Sequence, residues 1–381
     1  MASDTNAKHP PSSLALLTVQ QREALLLAPY ATFSADSAGR EFPEQEHAYR
    51  GPYQRDRDRV LHSSAYRRLS GKMQVFTGEM GDYHRTRLTH TQEVATIART
   101  IGRAIRLNED LIEALALVHD LGHPPYGHAG EDVLNECLAN EGGFSHNHFG
   151  LTLVRELEKR FTSYPGLNLT REVLAGQTAR IDKHNRDLNP SLEVQLVDAA
   201  DSTTYDAHDT DDAIKLGLVT LDDMAELALI RDGLRFVREN YAALDPDMLR
   251  KAIVHRLVDV QVTDLIDHCG RELQKCAFAS AGAAAGSDFV LGPSPSLAEQ
   301  KRELEKFLYQ RVYRHPHLIF VRERAQLRLR KMFDGYVRRP ELIPAKYQYR
   351  IARDGIGRTV ADYIAGMTDH YCEEMFATHF A

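Results

Sequence analysis

The chain has 381 residues, 43% of them hydrophobic and 27% charged, with a formal net charge of −7. That length suits two or three average domains or one large helical domain with appended helices, and the balance is that of a folded globular protein, not a disordered chain. The acidic excess argues against a general nucleic-acid or anionic-membrane binder, so a polyanionic ligand must meet a local basic cluster. Cys137, Cys269, Cys276 and Cys372 are widely scattered and are read as reduced thiols. No apolar run approaches the about 20 residues that cross a bilayer, and Met1 to Pro11 has no signal-like apolar core, so no membrane attachment and a cytoplasmic location are expected.

Residues 1–43 are rich in Ser, Pro and Ala with weak periodicity, and are expected to form an N-terminal arm, partly mobile, ahead of a main domain over 44–276. From Arg50, the segment GPYQRDRDRVLHSSAYRRLSGK spaces Val60, Leu61, Ala65 and Leu69 helically among arginines, which predicts a basic amphipathic helix. Gly71 and Gly78 bracket KMQVFT, and EMGDYHRTR reads as loop. In HTQEVATIARTIGRAI, Val94, Ile97, Ile101 and Ile105 recur by three and four as a buried helical face requires, with His90 at the helix start. A second helix runs from about Glu109 through LIEALALVHD and stops at Gly122, before Pro124 and Pro125, with His119 and Asp120 in its last turn. Further helices are predicted near His128 and from Leu192 to about Leu216, where Asp198, Asp201, Tyr205, Asp209 and Asp212 line one face. The small-residue stretch 277–296 is expected as a flexible connection, and 297–381 as a C-terminal helical region packing on the main domain. No alternating strand pattern and no fixed-period repeat occurs, so the predicted class is all-α.

A hydrolytic metal site needs three or four His and carboxylate ligands on rigid elements, plus an open position. Three helical segments supply such a set: His90, the pair His119 and Asp120, and Asp201. A lone His-Asp pair at a helix end has the plainer explanation of complementing the macrodipole. Here it is followed by LGHPPYGHAGED, a turn dense in imidazoles and carboxylates for which an apolar helix boundary has no packing need. Imidazole and carboxylate ligands suit Mn²⁺, Fe²⁺, Co²⁺, Ni²⁺ or Zn²⁺, while Mg²⁺ prefers oxygens, so one divalent ion is expected with its identity open.

The order His, His-Asp, distant Asp resembles the HD-domain phosphohydrolases. RGPYQRDRDRVLHSSAYRRLSGKMQVF, RTRLTHTQEV, ALVHDLGHPPYGHAGE, PSLEVQLVDAADSTTYDAHDTDDAI and ADYIAGMTD, in that order from Arg50 to Asp369, are similar to successive signatures of the bacterial dGTP triphosphohydrolase-like family. The resemblance implies an HD-domain helical fold, one divalent ion on His90, His119, Asp120 and Asp201, and hydrolysis of a deoxynucleoside triphosphate (dNTP) to deoxynucleoside and triphosphate. It also implies homo-oligomeric assembly.

Expelling the nucleoside 5′-oxygen needs a proton donor, and His128 is the candidate, with Glu131 one helical turn on to orient it. The same pair is catalytic in the enzymes that the chain resembles. Arg87, three residues before His90, is placed for phosphate, with Arg85, Arg67, Arg68 and Lys183 weaker candidates. Gln74, Tyr205 and Asp209 match the family's positions for reading the sugar. His123 is read either as a phosphate contact or as support for the ligand set. The resemblance hints that the helix of ADYIAGMTD closes the pocket, with Tyr363 and Asp369 as minor candidates. Between Gly142 and Ser191 the chain departs from the family, which often carries a longer lysine-containing insertion there. The rival readings are another HD enzyme, a nucleotidase or phosphodiesterase, and a nucleic-acid-binding HD module using the arginines of 50–68 on single strands. Single-stranded nucleic acid or an effector dNTP would be the further partner.

Overall fold

The computed structural model describes residues 17–47, 49–74, 85–182 and 190–381; Lys183 and residues 75–84, part of the segment expected as loop, lie outside the described residues. The first half contains α1 (Val19–Leu26), α2 (Pro52–Leu61), α3 (Ser64–Arg68), α4 (Arg87–Ala104), α5 (Glu109–Val118), α6 (His128–Cys137), α7 (His146–Thr152), α8 (Arg171–Ile181) and α9 (Leu192–Lys215). The second contains α10 (Ala228–Asn240), α11 (Pro246–Cys276), α12 (Ala281–Ala285), α13 (Pro295–Leu308), α14 (Pro316–Arg338), α15 (Ala345–Gln348), α16 (Ile351–Asp354), α17 (Ile356–Ala365) and α18 (Asp369–His379). The fold is all-α. Among the described residues the only extended pairings are isolated bridges, Arg40 with Thr170 and Met73 with Thr86.

Local chemistry explains where the helices that matter begin. Thr86 caps α4 by accepting from the Thr89 amide while the Thr89 hydroxyl accepts from the Thr86 amide, which satisfies two otherwise orphaned N–H groups. Asn108 caps α5, and Glu109 and Asp110 in its first turn complement the helix dipole. The expected apolar face of α4 buries Val94, Ile101 and Ile105 together with Ala95 and Ala98, with Ile97 packed partly against them. Gly102 lets α4 approach α5 closely, since a Cβ there would collide with Ile112.

Two apolar cores result. The larger joins α2, α4, α5, α6 and the first part of α9 with Leu265 of α11, Leu329 and Met332 of α14 and Ile364 of α17. The smaller gathers the end of α9, α10, the first half of α11 and α13 around Ile230, Ile253, Leu304 and Leu308. The region 297–381 is therefore shared between them: α13 belongs to the smaller core, whereas α14 packs on α6 and α17.

Three expectations change. The basic helix is broken: α2 ends at Leu61, and Ser63 caps a separate α3 by accepting from the Tyr66 amide. Most of its arginines pair with acidic side chains of the same chain, Arg50 on Asp58, Arg55 and Arg59 on Glu44, Arg57 on Asp58 and Glu113, and Arg68 on Glu158. From residue 17 the arm is folded, with the Glu23 carboxylate accepting from Ser34 and Asn108 and the Tyr30 hydroxyl donating to Ile105 O. Within 277–296, α12 forms, Leu291 is buried, and Leu291 N and Ser294 N donate to Gln195 and Asp264, so backbone groups that composition leaves free are paired with α9 and α11.

The buried pair Lys301 and Asp206 ties α13 to α9, with Lys301 Nζ also donating to Gln261 Oε1 at 2.6 Å. Lys301→Ala would leave the Asp206 carboxyl buried without its cation, and is expected to lower stability by ~3–5 kcal/mol in chemical denaturation. A loss no larger than that of an exposed lysine on the same helix would contradict this role.

Candidate active site

Four side chains from three helical segments converge. His90 lies in the first turn of α4, His119 and Asp120 follow the last turn of α5, and Asp201 sits in α9. His90 Nε2 is 3.0 Å from Asp201 Oδ1. His119 Nε2 is 3.5 Å from Asp120 Oδ1 and 3.7 Å from Asp201 Oδ1. His119 Nδ1 contacts Ala116 O at 2.5 Å, and a carbonyl only accepts, so the proton sits on Nδ1 and the lone pair of Nε2 faces the two carboxylates. That Nε2 is buried without a hydrogen-bond partner.

The electrostatics match the geometry. Burial holds the His119 imidazole below its usual range and so neutral, although Asp120 and Asp201 oppose this. Burial resists ionisation of Asp120, yet His123, Arg87 and His119 hold its carboxyl well below the usual range. Asp201 is held low likewise, by His119, His90 and Arg180 against its own burial. Neutral imidazoles beside ionised carboxylates are the ligand forms of a divalent cation. Ligand atoms of His90, His119 and Asp120 all lie within 4.8 Å of one another, and the orphaned His119 nitrogen between two carboxylates fits such an ion.

A second run of contacts leads away from Asp120. Its Oδ1 meets His123 Nδ1 at 3.0 Å. The His123 ring stacks on His146, centroids 3.8 Å apart at 23°. His146 Nδ1 lies 2.8 Å from both Glu131 oxygens, and Glu131 Oε2 is 3.3 Å from His128 Nδ1. Burial opposes ionisation of Glu131, but hydrogen bonds from His128 and His146 hold its carboxyl far below the usual carboxylate range. Two glycines permit this turn. A Cβ on Gly122 would collide with His146 O, and Gly127 has φ +56 with Arg87 Nη2 only 2.7 Å from where its Cβ would stand.

On the expected substrate side, Arg87 is 2% exposed and already bonded, Nη1 to Asp120 Oδ2 at 2.9 Å and Nη2 to Gln74 O at 3.2 Å, with only Nε unpartnered. Gln74 Oε1 and both Asp209 oxygens are buried without hydrogen bonds. Burial, then the Asp212 charge, pushes the Asp209 carboxyl well above its usual range. The Tyr205 hydroxyl meets that of Tyr313 at 2.5 Å, and the two rings stack. The weaker basic candidates are engaged: Arg85 on Asp211 and Asp212, Arg67 on His62 O, Arg68 on Glu158. Tyr363 is packed among Tyr336 and Tyr347.

Several residues at the site went unmarked in the sequence. His146 lies in SHNHFG, where two histidines in a polar segment are a visible but ambiguous signal. Arg180 pairs with Asp198 and stands 3.9 Å from Asp201. His208, bonded to Glu93, has its ring 5.6 Å from His90. Nothing local singles out Arg180, His208 or Tyr313.

Comparison with known proteins agrees with this arrangement. The HD domain family model matches residues 87–206 and the phosphohydrolase-associated domain model matches 291–378. The chain is similar to the deoxyguanosinetriphosphate triphosphohydrolase-like protein of Leptospira interrogans, 38% identical over 93% of this chain and 97% of the relative. Proteins of the same description from Geobacter metallireducens (39% identical, 93% of this chain and 95% of the relative) and Brucella suis (40%, 90% and 93%) are also similar. With near full-length similarity and the His, His-Asp, Asp set brought together, the chain belongs to the deoxyguanosinetriphosphate triphosphohydrolase-like family of HD-domain phosphohydrolases.

Proposed function

We propose that the chain hydrolyses deoxynucleoside triphosphates to deoxynucleoside and inorganic triphosphate, by attack of water on the α-phosphorus and departure of the 5′-oxygen. The observation that supports this most is the continuity between two unlike groups: the ligand set at Asp120, and an exposed His128 reached from it through His123, His146 and Glu131. A divalent ion held by His90, His119, Asp120 and Asp201 supplies Lewis acidity toward phosphate oxygen and lowers the pKa of water.

The chain's own residues account for the rest. The His128 side chain is 65% exposed, so it has room to meet a substrate, and its Nδ1 lies 3.3 Å from the Glu131 carboxylate, which orients the ring. It is the group to protonate the 5′-oxygen, which as a free alkoxide is a poor leaving group. The buried guanidinium of Arg87, with Nε unpartnered, brings positive charge to the phosphates. Gln74 Oε1 is a buried acceptor lacking a donor, and the 3′-hydroxyl of a deoxyribose is such a donor, with the buried Asp209 carboxyl as the second group proposed to read it. Tyr205, held by Tyr313, is the ring assigned to discriminate against a 2′-hydroxyl. The relatives share the description deoxyguanosinetriphosphate triphosphohydrolase-like protein.

Incubating the chain with each canonical dNTP and rNTP in Mn²⁺, Co²⁺ and Mg²⁺, and resolving products by ion exchange, tests the reading. Inorganic triphosphate and deoxynucleoside in equal amounts are expected, with ribonucleotides slower by about 10²-fold. Monophosphate with pyrophosphate, or orthophosphate alone, would reject it.

A further inference from the structure

We infer that Asp369 and Lys72 are positioning residues, through which the C-terminal helices set the two stretches of backbone that carry Gln74 and the His123 to His128 turn. The inference rests on the roles proposed above for Gln74 and His128.

Asp369 opens α18, and its two carboxylate oxygens are divided between separate parts of the chain. Oδ2 accepts from the Met73 amide at 2.9 Å, and Oδ1 accepts from the Tyr126 amide at 3.0 Å. Met73 immediately precedes Gln74. Tyr126 has φ 61 and precedes Gly127 at φ 56 and then His128. Two consecutive residues with positive φ, one of them a tyrosine, persist only where their surroundings hold them.

Lys72 makes the complementary tie. Its side chain is buried, and Nζ donates to Ala365 O at 2.9 Å and to His123 O. The segment from Ala365 to Asp369 thus holds Lys72, Met73 and Tyr126 by three bonds, and Lys72 adds a fourth to His123 O in the same turn. Only a carboxylate accepts two N–H groups in this way, because an amide in its place turns an NH₂ toward one of them. Through Tyr126 that carboxylate adds a polar link between 291–378 and 87–206, which also meet where α14 packs on α6.

The test uses the full chain loaded with metal. Asp369→Asn and Lys72→Met are each expected to lower kcat for dNTP hydrolysis by about 10- to 10²-fold, because displacement of a reacting group by about 1 Å costs that much. Asp369→Asn should also raise KM, through Gln74, and both variants should keep wild-type metal content. Thr368→Ala removes the cap of the same helix, where the Thr368 side chain accepts from Tyr371 N. It should lower Tm and leave kcat and KM at wild-type values. Wild-type kinetics in both tested variants, or an equal loss in Thr368→Ala, would overturn the inference. Should Asp369→Asn fail to fold, Lys72→Met carries the same comparison. If the wild type turns over no dNTP, the functional reading fails separately, and amide hydrogen exchange then decides the brace. Faster exchange at Met73 and Tyr126 in Asp369→Asn supports it, and unchanged exchange refutes it.

Discussion

Asp120→Ala is expected to lose metal and activity together. One Asp120 oxygen takes the Arg87 guanidinium, and the other faces both His119 Nε2 and His123 Nδ1. Removing the carboxylate leaves His119 with a single acidic neighbour, Asp201, and removes half of the negative charge that draws a cation in. The fall in turnover should exceed the about 10- to 100-fold typical of residues that only support a ligand. Arg87 would also remain buried without its counter-ion, at a cost of ~3–5 kcal/mol, so circular dichroism must accompany the assay. Metal content after dialysis, read by atomic emission, and release of inorganic triphosphate are the two measurements. A folded variant that keeps both stoichiometric metal and turnover would exclude Asp120 from the centre.

His128→Ala is expected to separate those two properties, with metal retained and dNTP turnover lowered by ~10²- to 10⁴-fold. The imidazole bonds to Glu131, and Glu131 is fixed from its other side by the His146 side chain and amide. The loss should therefore be one of proton delivery. A phosphodiester with a nitrophenolate leaving group needs no proton on departure, and its hydrolysis should fall far less than that of a dNTP. Equal losses on both substrates would point to a binding role, and unchanged dNTP turnover would remove His128 from the mechanism.

Helix bounds and the convergence of the candidate ligands were legible for specific reasons. Pro124 and Pro125 after Gly122 mark the end of the helix bearing His119 and Asp120, and the spacing of four from Asp201 to Tyr205 to Asp209 places them on one face of α9. The break between α2 and α3 was hidden, because Val60, Leu61, Ala65 and Leu69 keep helical spacing across it and only the Ser63 cap reveals the stop. The arm from residue 17 was hidden too. Its order comes from Glu23, Tyr30 and Thr32 bonding to Asn108, Ile105 and Glu193, all more than seventy residues away in sequence.

Periodicity and capping act over a few residues, so the order of amino acids alone was enough to place His90, His119, Asp120, Asp201 and His128 on their helices and to mark the all-α class. Which side chains lie beside them was decided by packing between helices remote in the chain: His146 against His123 and Glu131, Arg180 beside Asp201, Tyr313 on Tyr205, and Asp369 across Met73 and Tyr126. Those partners meet because burial of two apolar cores brings their helices together. A buried donor or acceptor must then find whatever complementary group the fold delivers, at any separation along the chain.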